Sequence, residues 1–345
     1  MEGYPRTLAE LEQHFSTEEA CRQYLFQLRW PEGFQCPVCG HSEAWKLKDG
    51  LFKCTACAHK TSVIAGTLFA GTRKPLVSWF RVIWWVTSQK NGASALGLQR
   101  ILGLGSYETA WTWLHKLRRA MVRPGRDRLS GTIQVDEMYI GGQKPGKRGR
   151  GAQGKTLVLI AAQEAGKITG RIRLKQIPDA SAESLEGAVQ EMVEQGAHVK
   201  TDDWNGYNGL TSLGYWHRVI RKTATIGDNL LPLCHREASL VKRWLIGTHQ
   251  GAVSHEHLGY YLDEYTFRFN RRTSRYRGML FYRLLQHAVA LDAVPYQDIA
   301  RGVRGRKPQN TRFSGQSSER GTLIDLLRRL LQRPTNSMEN LSGDY

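Results

Sequence analysis

Residues 132–142 have the sequence TIQVDEMYIGG, in which apolar and polar side chains alternate at the start and two glycines end the run. An alternation of period two is typical of a β-strand with one buried face. Ile133 and Val135 occupy one face of this strand, and Gln134 and Asp136 occupy the other. The stretch therefore predicts a strand that presents a carboxylate on its polar face, close to the strand end.

The flanking sequence extends this strand into a mixed α/β sheet. Strand-like stretches cover residues 156–163 and 167–177, a helical stretch covers 182–195, and a short strand covers 198–202. Three strands, a helix and a further strand indicate a mixed sheet rather than a repeated βαβ array. The short strand ends in Asp202, which follows Val199 and Thr201 and is delivered in the same way as Asp136.

Two carboxylates on paired strands are suited to divalent cations. Hard oxygen ligands suit Mg²⁺, and two such ions about 4 Å apart can activate a water or a 3′-hydroxyl and stabilise the leaving oxygen in phosphoryl transfer. On the pattern alone, acids at strand ends are more often simply solvated, so this prediction needs a second line of support.

Two CxxC pairs near the N-terminus predict a structural zinc site. Each pair offers two thiolates from a tight turn, and two pairs complete a tetrahedral site with no open position. The expected ligands are Cys36, Cys39, Cys54 and Cys57. His41 and His59 lie close enough in sequence to compete as ligands, whereas Cys21 and Cys234 lack a CxxC partner and are expected to be core thiols.

The charge balance indicates a polyanionic partner. Lys and Arg number 49 against 31 Asp and Glu, which gives a formal net charge of +18. Such a charge favours fast, salt-sensitive association with nucleic acid. No apolar run approaches the roughly 18 residues that a membrane helix needs, and residues 1–16 lack an apolar signal core. We therefore expect a cytoplasmic protein, nucleoid-associated in a bacterium, with no membrane partner.

A helix-turn-helix-like region is predicted before the sheet. Residues 93–102 and 107–121 are helical in pattern, a turn at 103–105 separates them, and Ser106 can cap the second helix. The second helix has an inward stripe of Ala110, Leu114, Leu117 and Met121, and an outward set of Thr112, His115, Lys116 and Arg119. An apolar back and a basic front suit docking in a DNA groove, with Lys116 and Arg119 as contacts. The alternative is a helical hairpin with a solvated basic face.

Two further basic stretches are candidate DNA contacts. A Gly-rich stretch directly after the first carboxylate strand contains Lys144, Lys147, Arg148 and Arg150. A second cluster includes Arg271 and Arg272 and is interleaved with aromatic residues, which suits stacking on bases. The alternative for this cluster is a helix whose aromatic side chains lie in the core.

The order of these motifs resembles a known family. Residues 135–142 (VDEMYIGG) and 201–207 (TDDWNGY) resemble the first two acid motifs of bacterial DDE insertion-sequence transposases with an N-terminal zinc ribbon, the group related to the Merlin elements. The resemblance extends over about residues 15–290, including 235–250 and 261–272. It implies a ribonuclease H-like core, dependence on Mg²⁺ or Mn²⁺, terminal inverted repeats and target DNA as substrates, and action as a homo-oligomer on DNA.

The resemblance also implies a third site residue. Family members with a third acid carry Glu and, seven positions later, Lys on one helix; here Lys242 is preceded at that spacing by His235. His235 is therefore expected to complete the site of Asp136 and Asp202, with Lys242 on a DNA phosphate. Imidazole is a softer ligand than carboxylate, which shifts preference towards Mn²⁺. Glu237 is the alternative; it lies about 200° around the helix from His235, so the two cannot share one ion.

Six segments follow from these patterns. They are N-terminal helices (1–30), a zinc ribbon (31–62), a helical DNA-binding region (63–128), a ribonuclease H-like catalytic core (129–250), a helical extension (251–295) and a basic, flexible tail (296–345). The expected function is metal-dependent DNA cleavage and strand transfer. Two alternatives are a catalytically inactive or domesticated DNA-binding regulator and a structure-selective nuclease that hydrolyses DNA without joining it.

Overall fold

The N-terminal part of the computed structural model contains two helices and a small sheet. The structure describes residues 3–122, 125–141, 155–223, 229–251 and 253–302. Helices α1 (Leu8–His14) and α2 (Glu18–Arg29) precede strands β1 (Ala44–Lys46), β2 (Phe52–Cys54) and β3 (Lys60–Thr61). The three strands pair antiparallel in sequence order. The first CxxC turn precedes β1, and the second begins at Cys54, the last residue of β2.

Three helices follow the small sheet, and two of them form the predicted hairpin. They are α3 (Leu76–Ser88), α4 (Ala95–Leu102) and α5 (Tyr107–Ala120). Ser94 and Ser106 cap α4 and α5, since each hydroxyl accepts a backbone N–H three residues on, at 3.1 Å. Gly103 ends α4 with φ +59°, the left-handed conformation that glycine adopts without a steric cost. The hairpin and its Ser106 cap are therefore as the sequence predicts.

A five-stranded mixed sheet forms the next part of the chain. Its strands are β4 (Thr132–Ile140), β5 (Thr156–Ala165), β6 (Ile168–Ile177), β7 (His198–Thr201) and β8 (Trp216–Val219). They lie in the order β6-β5-β4-β7-β8; β5 pairs antiparallel with both β4 and β6, and β7 and β8 run parallel to β4. Helix α6 (Ala182–Met192) connects β6 to β7, and a 3-10 helix covers Asn205–Leu210.

This arrangement confirms the predicted mixed α/β, ribonuclease H-like class. The predicted strand at 132–140 has the observed bounds, whereas β8 was not predicted. The sequence of β8 is Trp-His-Arg-Val, in which the apolar residues stand at the two ends and on opposite faces, and none of its residues is fully buried. A period-two pattern is the signal that identifies a strand, so this short edge strand gives none.

Helices cover both faces of the large sheet. On one face, α6 packs against Ile133, Val135 and Val199. On the other, α7 (Pro232–His249) and α8 (His255–Phe269) pack against Met138 and Ile160. Helices α9 (Arg277–Ala290) and α10 (Tyr296–Ala300) complete the described chain. The side chains of Gln134 and Asp136 on β4 therefore point towards α7.

A separate aromatic-rich core joins the N-terminal segments to the C-terminal extension. It contains Leu25 of α2, Phe80 of α3, Leu117 of α5 and Phe281 of α9, all buried. The ribbon, the helical region and α9 thus pack as one body. In the described ranges, no helix is long and apolar enough to cross a bilayer.

Candidate active site and zinc centre

The four predicted zinc ligands meet at one point. The Sγ atoms of Cys36 and Cys57 are 3.6 Å apart, as are those of Cys39 and Cys54, and all four lie within 4.8 Å of one another. This spacing is what a single tetrahedral Zn²⁺ with bonds of about 2.3 Å requires. Four protein thiolates leave no open position, so the zinc is structural.

The two CxxC turns share one backbone design. The N–H of Cys36 donates to the carbonyl of His41, and the N–H of Cys54 donates to that of His59, both at 2.9 Å. Each turn also needs a residue of positive φ, which is Gly40 (+75°) in the first and Ala58 (+56°) in the second. The histidines thus contribute backbone groups, and no histidine of the described chain belongs to the ligand cluster.

The two remaining cysteines are core residues, as predicted. Cys21 and Cys234 are free thiols with no exposed surface. Burial raises the pKa of Cys21 to about 12, which keeps the thiol neutral.

Asp136 lies on β4 and faces α7. Its Oδ1 accepts the backbone N–H of Glu137 at 2.8 Å, and 19% of its side chain is exposed. The neighbouring Glu137 points to the other face, where its Oε2 accepts the hydroxyl of buried Tyr207 at 2.8 Å. Strand alternation therefore separates the two adjacent acids, and only Asp136 points to the side of α7.

Asp202 follows β7 on the same face as Asp136. Gln134 of β4 is paired with Lys200 of β7 in parallel register, and each aspartate comes two residues later. The Trp204 N–H donates to Asp202 Oδ1 at 3.2 Å and fixes the carboxylate at the strand end. Asp203 instead pairs with exposed Arg221 at 2.8 Å.

Three acids of this region act on the pKa of buried Tyr207. Burial is the largest cause of its raised pKa, and the negative charges of Glu137, Asp136 and Asp202 add to the effect. A hydroxyl surrounded by carboxylates resists ionisation because the phenolate would be repelled. One tyrosine thus senses all three negative charges.

His235 contacts Asp136, whereas Glu237 does not point that way. His235 lies in the first turn of α7, with Nε2 3.3 Å from Asp136 Oδ2 and Nδ1 2.7 Å from Asn229 Oδ1. Glu237 is only 1% exposed and accepts the Tyr265 hydroxyl at 3.5 Å. Burial raises the pKa of Glu237 above its usual range.

A partly buried polar chain that the sequence did not reveal holds α7 in place. The Leu233 N–H donates to Gln134 Oε1 at 3.0 Å, and Gln134 Nε2 donates to Glu164 Oε1 at 2.8 Å. Lys200 Nζ completes the chain at 2.9 Å from Glu164. Strands β4, β5 and β7 are thereby tied to the first turn of α7, which carries His235. The residues of this polar chain are far apart in sequence. The only indication of the chain in the sequence was that Gln134 shares a strand face with Asp136.

The donor set fits a divalent cation. Two ligands bound at about 2.1 Å and at right angles on one ion are roughly 3.0 Å apart, which is close to the 3.3 Å between Asp136 Oδ2 and His235 Nε2. Carboxylate oxygen with imidazole nitrogen suits Mn²⁺ as well as Mg²⁺. Within the described ranges, only the cysteine cluster brings three or more ligand atoms within 4.8 Å of one another. The aspartates and His235 are thus an open set rather than a closed cage.

Lys242 lies on the exposed side of α7, two helical turns beyond His235. At 3.6 residues per turn, a seven-residue offset places both side chains on one face. The ammonium group is therefore on the same side of the helix as the His235 imidazole.

The structure corrects the prediction of an outward polar face on α5. The inward stripe of Ala110, Leu114, Leu117 and Met121 is buried as expected, but His115 is also fully buried. Its ring stacks on Trp111 at 3.9 Å, and burial lowers its pKa to about 2. Helix α5 is thus covered on its predicted outward side by α8.

The two basic residues predicted on that face are half-buried. Burial lowers the pKa of Lys116 and of Arg119, and Arg119 Nη1 donates to the carbonyl of Asp292 at 3.3 Å. Their contact with DNA stays a prediction, but the wide open basic face expected for α5 does not exist.

Arg271 and Arg272 lie just after the end of α8 and stack on aromatic rings of that helix. Their guanidinium carbons lie 4.3 Å and 3.9 Å from the ring centres of Phe267 and Phe269. Phe267 is 2% exposed, so its ring belongs to the core and is closed to nucleic-acid bases. The remaining predicted DNA contacts, Lys144, Lys147, Arg148 and Arg150, lie outside the described residues.

Two parts of the chain match known protein families. A family model for the ISXO2-like transposase domain matches residues 128–270, and a model for the transposase zinc-ribbon domain matches residues 16–60. An uncharacterized protein in transposable element ISH50 of Halobacterium salinarum is 25% identical over 279 residues, covering 74% of this chain and 91% of that protein.

Chains of solved structures also match this chain. A chain in the cryo-EM structure of the simian T-cell lymphotropic virus intasome in complex with PP2A regulatory subunit B56 gamma matches with a TM-score of 0.28 and 14% identity. That match covers 49% of this chain and 63% of that chain.

Proposed function

We propose that this chain, which matches family models of an ISXO2-like transposase domain and of a transposase zinc-ribbon domain, is an insertion-sequence transposase that binds the terminal inverted repeats of its element and catalyses metal-dependent DNA cleavage and strand transfer. The observation that carries this proposal is the contact of His235 with Asp136, at 3.3 Å, on the sheet face that also bears Asp202. A sheet face with these three donors suits phosphoryl transfer better than plain DNA binding.

Each residue has a distinct role in the proposed reaction. Asp136 and Asp202 hold divalent cations with oxygen ligands, and His235 adds a nitrogen ligand from α7. When bound there, Mg²⁺ or Mn²⁺ would supply the charge that polarises an attacking hydroxyl and stabilises a leaving oxygen. Lys242, exposed on the same side of α7, holds a backbone phosphate of the DNA.

The polar chain of contacts through Gln134 supports this arrangement. Gln134 fixes the first turn of α7 relative to β4, and so it keeps His235 at a constant distance from Asp136. Precise placement of reacting groups accounts for much of the rate of such reactions, and a misplacement of about 1 Å can cost 100-fold.

DNA contact is proposed over several surfaces. The net charge of +18 gives a long-range attraction to the phosphate backbone. Lys116, Arg119, Arg271 and Arg272 can contribute from the described part of the chain, and Lys144, Lys147, Arg148 and Arg150 from beyond it. The protein acts on target DNA as a homo-oligomer and associates with the nucleoid.

The test is cleavage and joining of a terminal-repeat substrate by the full chain. Asp136→Asn and Asp202→Asn should abolish both reactions while DNA binding is retained, because Asn keeps the shape and removes the charge that the cations need. Asp203→Asn is the matched control; it points away from Asp202 and pairs with Arg221, so it should be milder. Strand transfer that survives in Asp136→Asn or Asp202→Asn would refute the assignment.

A second candidate function is a DNA-binding regulator without catalysis. The presence of His235 at the position where the family resemblance places Glu favours it. This function would show as specific binding of terminal repeats with no nicking in either Mg²⁺ or Mn²⁺. A structure-selective nuclease would instead nick DNA without joining ends.

A further inference from the structure

Asn229 makes a contact whose chemistry decides what His235 can do. Its side-chain oxygen lies 2.7 Å from His235 Nδ1, while the other ring nitrogen faces Asp136 Oδ2 at 3.3 Å. The imidazole is thus clamped between an amide on one side and a carboxylate on the other. Neither resemblance nor spacing singles out Asn229.

An amide oxygen only accepts hydrogen bonds, so the hydrogen of the neutral ring is on Nδ1. The Nε2 lone pair then points at a carboxylate oxygen, and two electron-rich atoms at this distance repel each other. A cation between them converts that repulsion into two favourable bonds. In protein metal sites, a ligating histidine donates its other N–H to an oxygen acceptor, which fixes the tautomer and the ring orientation.

The position of Asn229 is defined by the residues that follow it. Leu231 is 1% exposed and Leu233 is 6% exposed, and both are packed in the core between α7 and the sheet. Pro232 is the first residue of α7, where its fixed φ favours helix initiation. The backbone N–H of His235 donates to the Leu231 carbonyl at 3.0 Å. The segment that joins Asn229 to His235 is therefore anchored on both sides of the proline.

We propose that Asn229 is a positioning residue that holds His235 in the Nδ1–H tautomer, so that Nε2 is free to bind a divalent cation together with Asp136. The inference rests on the proposed function, because it concerns the same metal site. It adds a residue outside the Asp136, Asp202 and His235 set and makes the ligand atom of His235 specific.

The experiment measures Mn²⁺ binding to the full chain by isothermal titration calorimetry, without DNA. Asn229→Ala should weaken Mn²⁺ binding about 10–100-fold, the effect typical of losing such an orienting partner. Asn229→Asp keeps an acceptor at the same place and should bind Mn²⁺ much as the wild type does. Asn208→Ala, at an exposed asparagine of the 3-10 helix, is the matched control and should have no effect.

A second measurement reads the tautomer directly. Nitrogen-15 NMR of histidine-labelled protein at about pH 8, where an ordinary imidazole is neutral, should show the Nδ1–H form for His235 in the wild type. The Nε2–H form should become populated in Asn229→Ala and stay minor in Asn229→Asp. An Nε2–H signal as the main form of the wild type would overturn the proposal.

Failure of the inference is distinguishable from failure of the metal site. If Asp136→Asn loses Mn²⁺ binding and Asn229→Ala does not, the site stands and the role of Asn229 is refuted. If Asp136→Asn binds Mn²⁺ like the wild type, the metal site itself is wrong, and the role of Asn229 is refuted with it.

Discussion

At the residue scale, the identity of the third site residue depends on which way two side chains of one helical turn point. His235 is 46% exposed at its side chain and contacts Asp136, whereas Glu237 is buried against Tyr265. The spacing to Lys242 favoured His235, and the contact with Asp136 supports the same choice. A carboxyl group in Glu237's environment is more easily kept neutral than used as a metal ligand, because burial raises its pKa.

We predict that His235→Ala removes most cleavage activity while the protein stays folded. The side chain is half exposed, so its loss leaves no cavity. His235→Glu should retain or restore activity in Mg²⁺, because carboxylate is the harder ligand. The measurement is the single-turnover rate of nicking in Mg²⁺ and in Mn²⁺, with circular dichroism as the folding check.

Glu237→Gln is the control for His235. It keeps the shape and the contact with Tyr265, so much of the cleavage activity should remain. Full activity in His235→Ala together with none in Glu237→Gln would move the third position to Glu237.

At the element scale, the features that could be predicted were those that repeat in the sequence along a single strand or helix. The alternation of β4 gave its bounds and the face of Asp136, and the stripe on α5 gave its buried side. The prediction that His115 is exposed was wrong, because α8 packs against the side of α5 that carries His115. Gln134 could not be assigned its role either, since its partners Leu233 and Glu164 come from distant parts of the chain.

The zinc ribbon is predicted to hold one zinc per chain and to depend on it for its packing. Two of its aromatic residues, Phe34 and Phe52, stack against Trp30 at the end of α2, with ring centres 5.1 and 5.8 Å from Trp30. Removing zinc should loosen the turns that carry the thiolates and so expose Trp30, because a structural zinc contributes directly to folding.

Elemental analysis of reduced protein and tryptophan fluorescence during chelation test this. Cys39→Ser should lower the zinc content clearly below one per chain. Cys21→Ala should keep it, since Cys21 is buried in α2 and is not a ligand. A wild-type zinc content well below one would contradict the ribbon assignment.

At the scale of the whole molecule, a buried ion network joins the helical region to the extension behind the sheet. Arg118 of α5 and Arg268 both donate to Glu264 of α8 at 2.7 Å, and Arg118 and Glu264 are almost fully buried. Arg268 also donates to the carbonyls of Gln89 and Val86, next to the end of α3. The Glu264 carboxylate therefore joins α5 to α8, and Arg268 links both to α3. The pKa of Glu264 is lowered to about 2 despite its burial.

The histidines around this network predict that the fold loses stability in mild acid. Burial, followed by the positive charge of Arg118, lowers the pKa of His115 to about 2 and that of His249 to about 4. An unfolded histidine binds its proton near pH 6.5. The unfolded state therefore takes up protons first as the pH falls, and stability decreases from about pH 6.5 downwards. Glu264 adds to the loss below about pH 4.5, because its folded pKa is depressed and its unfolded pKa is normal.

Each such histidine contributes up to about 1.4 kcal/mol per pH unit within its window, which urea unfolding between pH 7 and pH 4 can measure. His249→Phe is the variant of choice, because its ring packs edge-on against Trp244 and Tyr261 and a phenyl ring preserves that packing. The variant should lose less stability than the wild type between pH 6.5 and pH 4. Exposed His14, replaced by Phe, is the control and should leave the slope unchanged. Equal slopes for His249→Phe and the wild type would mean that His249 titrates alike in both states, and that the aromatic cluster around the ion network does not exclude the proton.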